Sequence, residues 1–292
     1  ESGICLAFPA WETPTGTTRH SPGYNVVTPT WTSIHIARSQ RTSVMVMRDL
    51  SGQVAWITGA GTGIGESAAL KLAEAGCTVV VSGRRAEPLD SLVERIAAGG
   101  GTASAEPLDV SDKHAVASVV DRILAEHGRV DIAVLSAGIN VNNRNWPVVT
   151  TDAWDDVINI DLSGAFYCCH ALVPGMRERG DGLIINVSSM AAKGVSALTG
   201  PAYTSAKHAM NAMTASLLVE ERNNGIRATA ICPGEVATPI LDARPVPVSD
   251  EDKARILQSE DVGDLILFVA QQPAHVTLNE ILITPTYNRF DV

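Results

Sequence analysis

The 292-residue chain is poor in aromatics, at 4%, and its five cysteines (Cys5, Cys77, Cys168, Cys169 and Cys232) form no CxxC pair and join no Cys/His group. This excludes a disulfide framework and leaves no candidate metal cluster, so the thiols read as reduced, in a cytoplasmic setting. Positive charge is also scarce. Lys and Arg number 22 against 32 Asp and Glu, a net charge of −10 and a pI near 5.1. Such a surface repels polyanions, so neither nucleic acid nor a membrane is an expected partner. No apolar stretch approaches the roughly 18 residues of a membrane span. No repeat appears at solenoid periods, and the N-terminus lacks the basic start and apolar centre of a signal peptide.

Against these absences stands a 45% hydrophobic content, enough for a sizeable core. Residues 1–48 are rich in Thr, Ser, Pro and Gly without helical or strand periodicity. They read as an N-terminal extension, disordered or loosely docked through Trp11, Tyr24 and Trp31, or as sequence upstream of a start at Met45 or Met47. Residues 49–292 read as a single domain. Short β-branched runs at Val54–Thr58, Thr78–Ser82, Ala103–Leu108, Val130–Leu135, Leu183–Val187, Arg227–Cys232 and Glu280–Ile283 alternate with helical patterns. The helices are placed from the first glycine loop to Ala75, at Pro88–Ala98, from Ser111-Asp112 to Gly128, at Asp152–Arg179 with a bend near Pro174-Gly175, at Tyr203–Asn223, and at Asp261–Ala270. Alternation of this kind predicts an α/β fold, a doubly wound parallel sheet of about seven strands with helices on both faces.

Thr58-Gly59-Ala60-Gly61-Thr62-Gly63-Ile64-Gly65 lies between the first strand and the first helix. A pyrophosphate needs bare N–H groups and no Cβ in the way. Gly59 serves the tight exit from the strand, Gly63 the approach of phosphate, and Gly65 the close packing of helix on strand. The helix aims its positive end at the phosphates. At the end of the second strand an acidic residue would favour NAD. The chain instead reads Ser82-Gly83-Arg84-Arg85. Guanidinium groups suit a 2′-phosphate, so NADP(H) is favoured and NAD(H) is the alternative.

Far downstream, Tyr203 and Lys207 stand four apart at the head of a predicted helix, on one face. Hydride reaching a carbonyl carbon leaves charge on oxygen, and an acid must supply a proton. Tyrosine can do so, although its free pKa near 10 is high for the task. An ammonium beside it stabilises the phenolate and lowers that pKa. A hydroxyl from Ser189 would hold the substrate oxygen.

With these motifs in order, the chain resembles the short-chain dehydrogenase/reductase family over about residues 50–285. The matching residues are Thr58–Gly65, Asp109-Val110, Ser136-Ala137-Gly138, Ile185–Ser189, Tyr203–Lys207, and Pro233-Gly234 with Thr238. The resemblance implies a single Rossmann-type domain and an oxidoreductase of small-molecule alcohols and carbonyls. Ser189, Tyr203 and Lys207 would be the catalytic set, with Lys207 also on the nicotinamide ribose. Gly59, Thr62, Gly63, Ile64 and Gly65 would meet the pyrophosphate, Asp109 and Val110 the adenine end, and Ser136, Ala137 and Gly138 the cofactor's flank. Pro233, Gly234, Val236 and Thr238 would border the nicotinamide. It also implies a homodimer or homotetramer built through the helices at 152–179 and 203–223.

The chain departs from the family pattern in places. Asp161 stands where an asparagine of the proton relay is usual, putting a carboxylate near Lys207, and Ser136 replaces an asparagine. Ser189 lies fourteen residues before Tyr203, one more than is common, with Ser188 as the fallback. Asp161 and Ser136 motivate a second reading, a cofactor-binding sensor or scaffold with little catalysis. His170 and His208 read as surface or packed residues, Cys168-Cys169 as a packed helix face, Lys193 as a solvated loop residue, and Trp146 and Trp154 as packed. Arg244-Pro245-Val246-Pro247-Val248 is expected to form a stiff, mostly apolar lid over a modest apolar or aromatic substrate.

Overall fold

The computed structural model describes residues 47–287. The predicted extension therefore lies outside the described residues except for Met47 and Arg48. Arg48 donates its backbone N–H to Gln271 and its guanidinium to Asp181.

The chain runs β1 (Val54–Thr58), α1 (Gly63–Glu74), β2 (Thr78–Ser82), α2 (Ala86–Ala98), β3 (Thr102–Ala105), α3 (Lys113–His127), β4 (Ile132–Leu135), α4 (Thr151–Ile158), α5 (Gly164–Arg179), β5 (Gly182–Val187), α6 (Gly200–Glu221), β6 (Ile226–Pro233), α7 (Asp250–Lys253), α8 (Ser259–Ala270) and β7 (Glu280–Ile283). The seven strands pair in the order β3-β2-β1-β4-β5-β6-β7, and every pairing is parallel. Parallel strands with both faces covered bury continuous apolar runs. Accordingly every residue of β1, β4, β5 and β6 is buried.

Two cores result. On one face α1, α2 and α8 pack on Ala55, Ile57, Val79 and Val81. On the other α3, α5 and α6 pack on Trp56, Val80, Ala133 and Ile184. Neighbouring strand residues point to opposite faces, so Ile57 and Trp56 serve different cores. Trp56 is fully buried and donates its indole N–H to the Ser82 hydroxyl at 2.9 Å.

The order of the strands reverses between β1 and β4, so their outgoing loops diverge and open a crevice at the carboxyl ends. Register brings Thr58 level with Leu135, Leu135 with Asn186, and Val187 with Ile231. The segments after β1, β4, β5 and β6, which carry nearly all the predicted site residues, therefore start at one edge of the sheet.

Element ends differ from expectation by a few residues, and one interior does too. The long helix is not interrupted at Pro174, which sits inside α5. Pro174 and His170, whose carbonyl loses its helical partner to the proline, are both on the exposed face of the helix, away from the core. The irregularity comes earlier, as a π turn over Asn159–Ser163. The stretch Thr151–Arg179 is also long and apolar enough to cross a membrane by length and composition, contrary to the sequence reading. Here it packs on the sheet through Cys168, Leu172 and Met176.

Candidate active site

The crevice is a cavity of about 500 Å³ walled by the segments that follow β1, β4, β5 and β6. At its floor, Gly59 leaves β1 with φ +67°, and a Cβ there would lie 2.7 Å from the Ala137 backbone. A Cβ on Gly65 would overlap the Gly59 carbonyl. The glycines thus allow α1 to start directly against the strand end. Thr62 precedes α1 in extended conformation, and its side chain caps none of the first-turn amides. Those N–H groups need an acceptor, and an anion at this mouth supplies one. A Cβ on Gly63 would point at Thr238, 3.0 Å from its methyl group, across the cavity. A bare cradle with uncapped amides fits a dinucleotide pyrophosphate.

Thr62, Ile64, Arg84, Ser136, Gly138, Pro233, Gly234, Val236 and Thr238 also line the cavity. Five predicted residues do not: Gly65, Arg85, Asp109, Val110 and Ala137. Arg85 is instead the exposed residue before α2. Asp109 is exposed and accepts from Ser111 N and Oγ at 3.0 and 2.7 Å. Val110 is buried in the core, where a Cβ on Gly164 would come within 2.7 Å of it. Ala137 donates its N–H to Thr58 Oγ1 at 3.4 Å.

On the opposite wall, α6 presents Tyr203 and Lys207, with Lys207 Nζ 5.4 Å from the Tyr203 ring centre. Lys207 is 3% exposed and donates to the Val187 carbonyl at 3.2 Å. Its Nζ lies 3.4 Å from Asp161 Oδ2. Asp161 is fully buried, and its other oxygen accepts from Ile139 N at 2.8 Å. The π turn adds one residue to the helical turn and so aims this carboxylate inward. Burial pulls the Lys207 ammonium down, but the facing Asp161 carboxylate and then Tyr203 outweigh it, and its pKa is raised. Burial raises the Asp161 carboxyl, against the opposing effect of Lys207. Ser188 and Ser189 both border the cavity. Ser188 Oγ donates to the Lys207 carbonyl at 3.4 Å, whereas Ser189 Oγ accepts from Ala191 N at 3.1 Å and keeps its proton for another acceptor. That geometry favours Ser189 as the donor to a substrate oxygen.

Comparison with known proteins agrees with this geometry. The short chain dehydrogenase family model matches residues 53–246. The chain belongs to the short-chain dehydrogenase/reductase family. It is an NAD(P)-dependent oxidoreductase of that family. It is 35% identical over 253 residues to glycine betaine reductase ATRR of Emericella nidulans, covering 85% of this chain but only 20% of that larger protein. An uncharacterized oxidoreductase of Staphylococcus aureus is 31% identical over 82% of this chain and its own full length. A metagenomic short-chain oxidoreductase solved in complex with NADP is 32% identical, with TM-score 0.72, over 82% of this chain and 100% of its own.

Other residues of this dehydrogenase escaped the sequence reading. Arg144 and Glu235 line the cavity and are each 5% exposed, and Arg244, expected only as the first residue of the lid, lines it as well. Single charged residues in loops carry no periodic signal, and these come from two separate segments, one after β4 and one after β6. The expected lid needs correction as well. Pro239, Ile240, Leu241 and Arg244 face the cavity, while Val246 is exposed and Val248 packs with Leu241 and Ile256. Trp146 is 80% exposed rather than packed, and Trp154 is also exposed. Lys193 is not simply solvated but pairs with Glu280 at 2.6 Å. His170 and His208 do not line the cavity, and among the described residues no cluster of His, Cys, Asp and Glu could hold a metal.

Proposed function

We propose that this dehydrogenase interconverts an alcohol and a carbonyl with NADP(H), using Tyr203 as acid and base. The observation that carries the reading is convergence. Tyr203, Lys207 and Ser189 line the same cavity as the uncapped start of α1. The cofactor supplies or accepts the hydride when bound. Ser189 donates to the substrate oxygen, and Tyr203 gives that oxygen its proton in reduction or takes it in oxidation. Lys207 stays charged beside the phenol and steadies the negative charge left there, and Asp161 holds Lys207 in position.

Arg84 borders the phosphate end and is the residue for a 2′-phosphate, in preference to Arg85. Arg84→Gln should weaken NADPH binding by about 10- to 100-fold, the worth of a charged hydrogen bond, with NADH little changed. Equal weakening of both would remove the NADP preference from Arg84. Exposed Phe166 on α5 and Val219 on α6 support a homodimer or homotetramer through these helices.

Tyr203→Phe tests the central claim. Carbonyl reduction should fall by about 10²–10⁴-fold while NADPH, followed by fluorescence, binds as in the wild type. Retained turnover would overturn the role of Tyr203. Wild-type protein that binds NADPH but reduces no carbonyl would favour the sensor reading.

A further inference from the structure

The ion pair beneath the phenol holds more charge than the fixing of Lys207 requires. The ammonium already donates to the Val187 carbonyl at 3.2 Å. Asp161 Oδ1 accepts from Ile139 N at 2.8 Å, a bond that a neutral amide oxygen would accept equally well. The other oxygen, Oδ2, lies 3.4 Å from Lys207 Nζ and has no hydrogen-bond partner among the described residues. What Oδ2 brings to the site is therefore charge. Asp161 is fully buried, and burying a carboxylate is costly. An asparagine, usual at this position in the family pattern, would avoid that cost.

The pair stands close against the cavity. Asp161, Lys207, Tyr203 and Gly138 all border it. A Cβ on Gly138 would meet Asp161 Oδ2 at 3.2 Å and Lys207 Nζ at 3.5 Å, so the glycine lets the pair press directly on the backbone that lines the space. Lys207 Nζ is 5.4 Å from the centre of the Tyr203 ring. Hydride and proton go to the two atoms of one carbonyl, so the ring that exchanges hydride has to lie beside Tyr203. That ring is neutral in the reduced cofactor, and loss of hydride leaves it a cation. With Asp161 present the pair shows the cation no net charge. Without it, Lys207 shows a full positive charge. The other charges of the cavity and the phosphates of the cofactor are common to both redox forms and cancel in the comparison.

We propose that the Asp161 carboxylate sets the preference of the site between oxidised and reduced nicotinamide cofactor, by cancelling the charge of Lys207 beside the ring. The proposal rests on the oxidoreductase reading above. Tighter relative binding of the oxidised form makes the bound reduced form the stronger hydride donor. Each 10-fold in the ratio of affinities is about 30 mV in the potential of this two-electron couple.

The test is binding, without turnover. Dissociation constants of NADP⁺ and of NADPH are measured on the full-length protein at pH 7 by isothermal titration calorimetry. In Asp161→Asn the ratio Kd(NADP⁺)/Kd(NADPH) should rise by about 10-fold, the scale of one unit charge acting at close range through an effective dielectric of about 20. In Lys207→Gln, which leaves the carboxylate without its cation, the ratio should fall. Loss of a structural brace would weaken both forms alike and leave the ratio unmoved.

An unmoved ratio in either variant, or shifts of the same sign in both, would overturn the proposal and leave the oxidoreductase reading standing. If Asp161→Asn does not fold, the sign of the Lys207→Gln shift decides alone. Wild-type protein that binds neither nucleotide would overturn the oxidoreductase reading, and the proposal with it.

Discussion

Asp161→Asn isolates the ion pair beneath the phenol. Asn is nearly isosteric and keeps an acceptor for the Ile139 N–H, now 2.8 Å from Asp161 Oδ1. It removes only the charge, and it turns an amide N–H₂ toward Lys207. At the observed 3.4 Å separation and an effective dielectric of about 20, the attraction lost is about 5 kcal/mol. The cost of burying a carboxylate, no longer incurred, returns part of that. A net loss of about 2 kcal/mol at pH 7 follows, or about 4–8 °C in Tm for a domain of this size.

The pH dependence is sharper than the magnitude. In the wild type the folded-state Lys207 pKa is raised, so its stabilisation is complete below the unfolded value of 10.5 and is lost only as pH rises beyond that. In the variant, burial is the largest remaining influence and lowers the Lys207 pKa. The unfolded chain then binds more protons than the folded one, and the variant gains stability as pH rises toward 10.5. The difference in Tm should therefore shrink steadily from pH 7 to pH 9.5, as differential scanning fluorimetry in matched buffers would record. A constant difference, or a variant more stable at pH 7, refutes a charged Lys207 held by Asp161.

Features that repeat or punctuate were legible before the structure. Alternating β-branched runs located all seven strands, since buried parallel strands demand continuous apolar runs. Gly59 and Gly65 were readable because backbone crowding around the β1–α1 turn admits no Cβ, and Gly63 because the turn holds it at φ +63°. Tyr203 and Lys207 were readable because helical spacing fixes their common face. The π turn was not, because Asn159–Ser163 carries no breaker, whereas Pro174 displays one where the exposed helix face tolerates it. The Arg144–Glu235–Arg244 wall was illegible for another reason. Lone charges in loops look solvated, and only the convergence of the segments after β4 and after β6 brings them to one cavity. Gly200-Pro201 just ahead of Tyr203 was the available hint, since a glycine at that position marks a close approach by another segment, here the Arg144 carbonyl.

Two further substitutions probe the frame that presents this site. Trp56→Phe removes the buried indole N–H from the Ser82 hydroxyl, 2.9 Å away. A loss of about 1–3 kcal/mol is expected from the unpaired hydroxyl and the smaller ring, measured by urea unfolding. In the Ser82→Ala background the same change should cost less, because the hydroxyl it would orphan is already gone; equal costs in both backgrounds would make the bond irrelevant. Gly65→Ala places a methyl group against the Gly59 carbonyl, which is backbone and cannot swing aside. Either α1 moves off the end of β1 or the loop opens, costing about 1–3 kcal/mol, and both responses displace the amides that would receive a phosphate. NADPH affinity and Tm should therefore fall together. A variant with lowered Tm and wild-type NADPH affinity would show that the first turn of α1 does not hold the cofactor, whatever the crowding at Gly59.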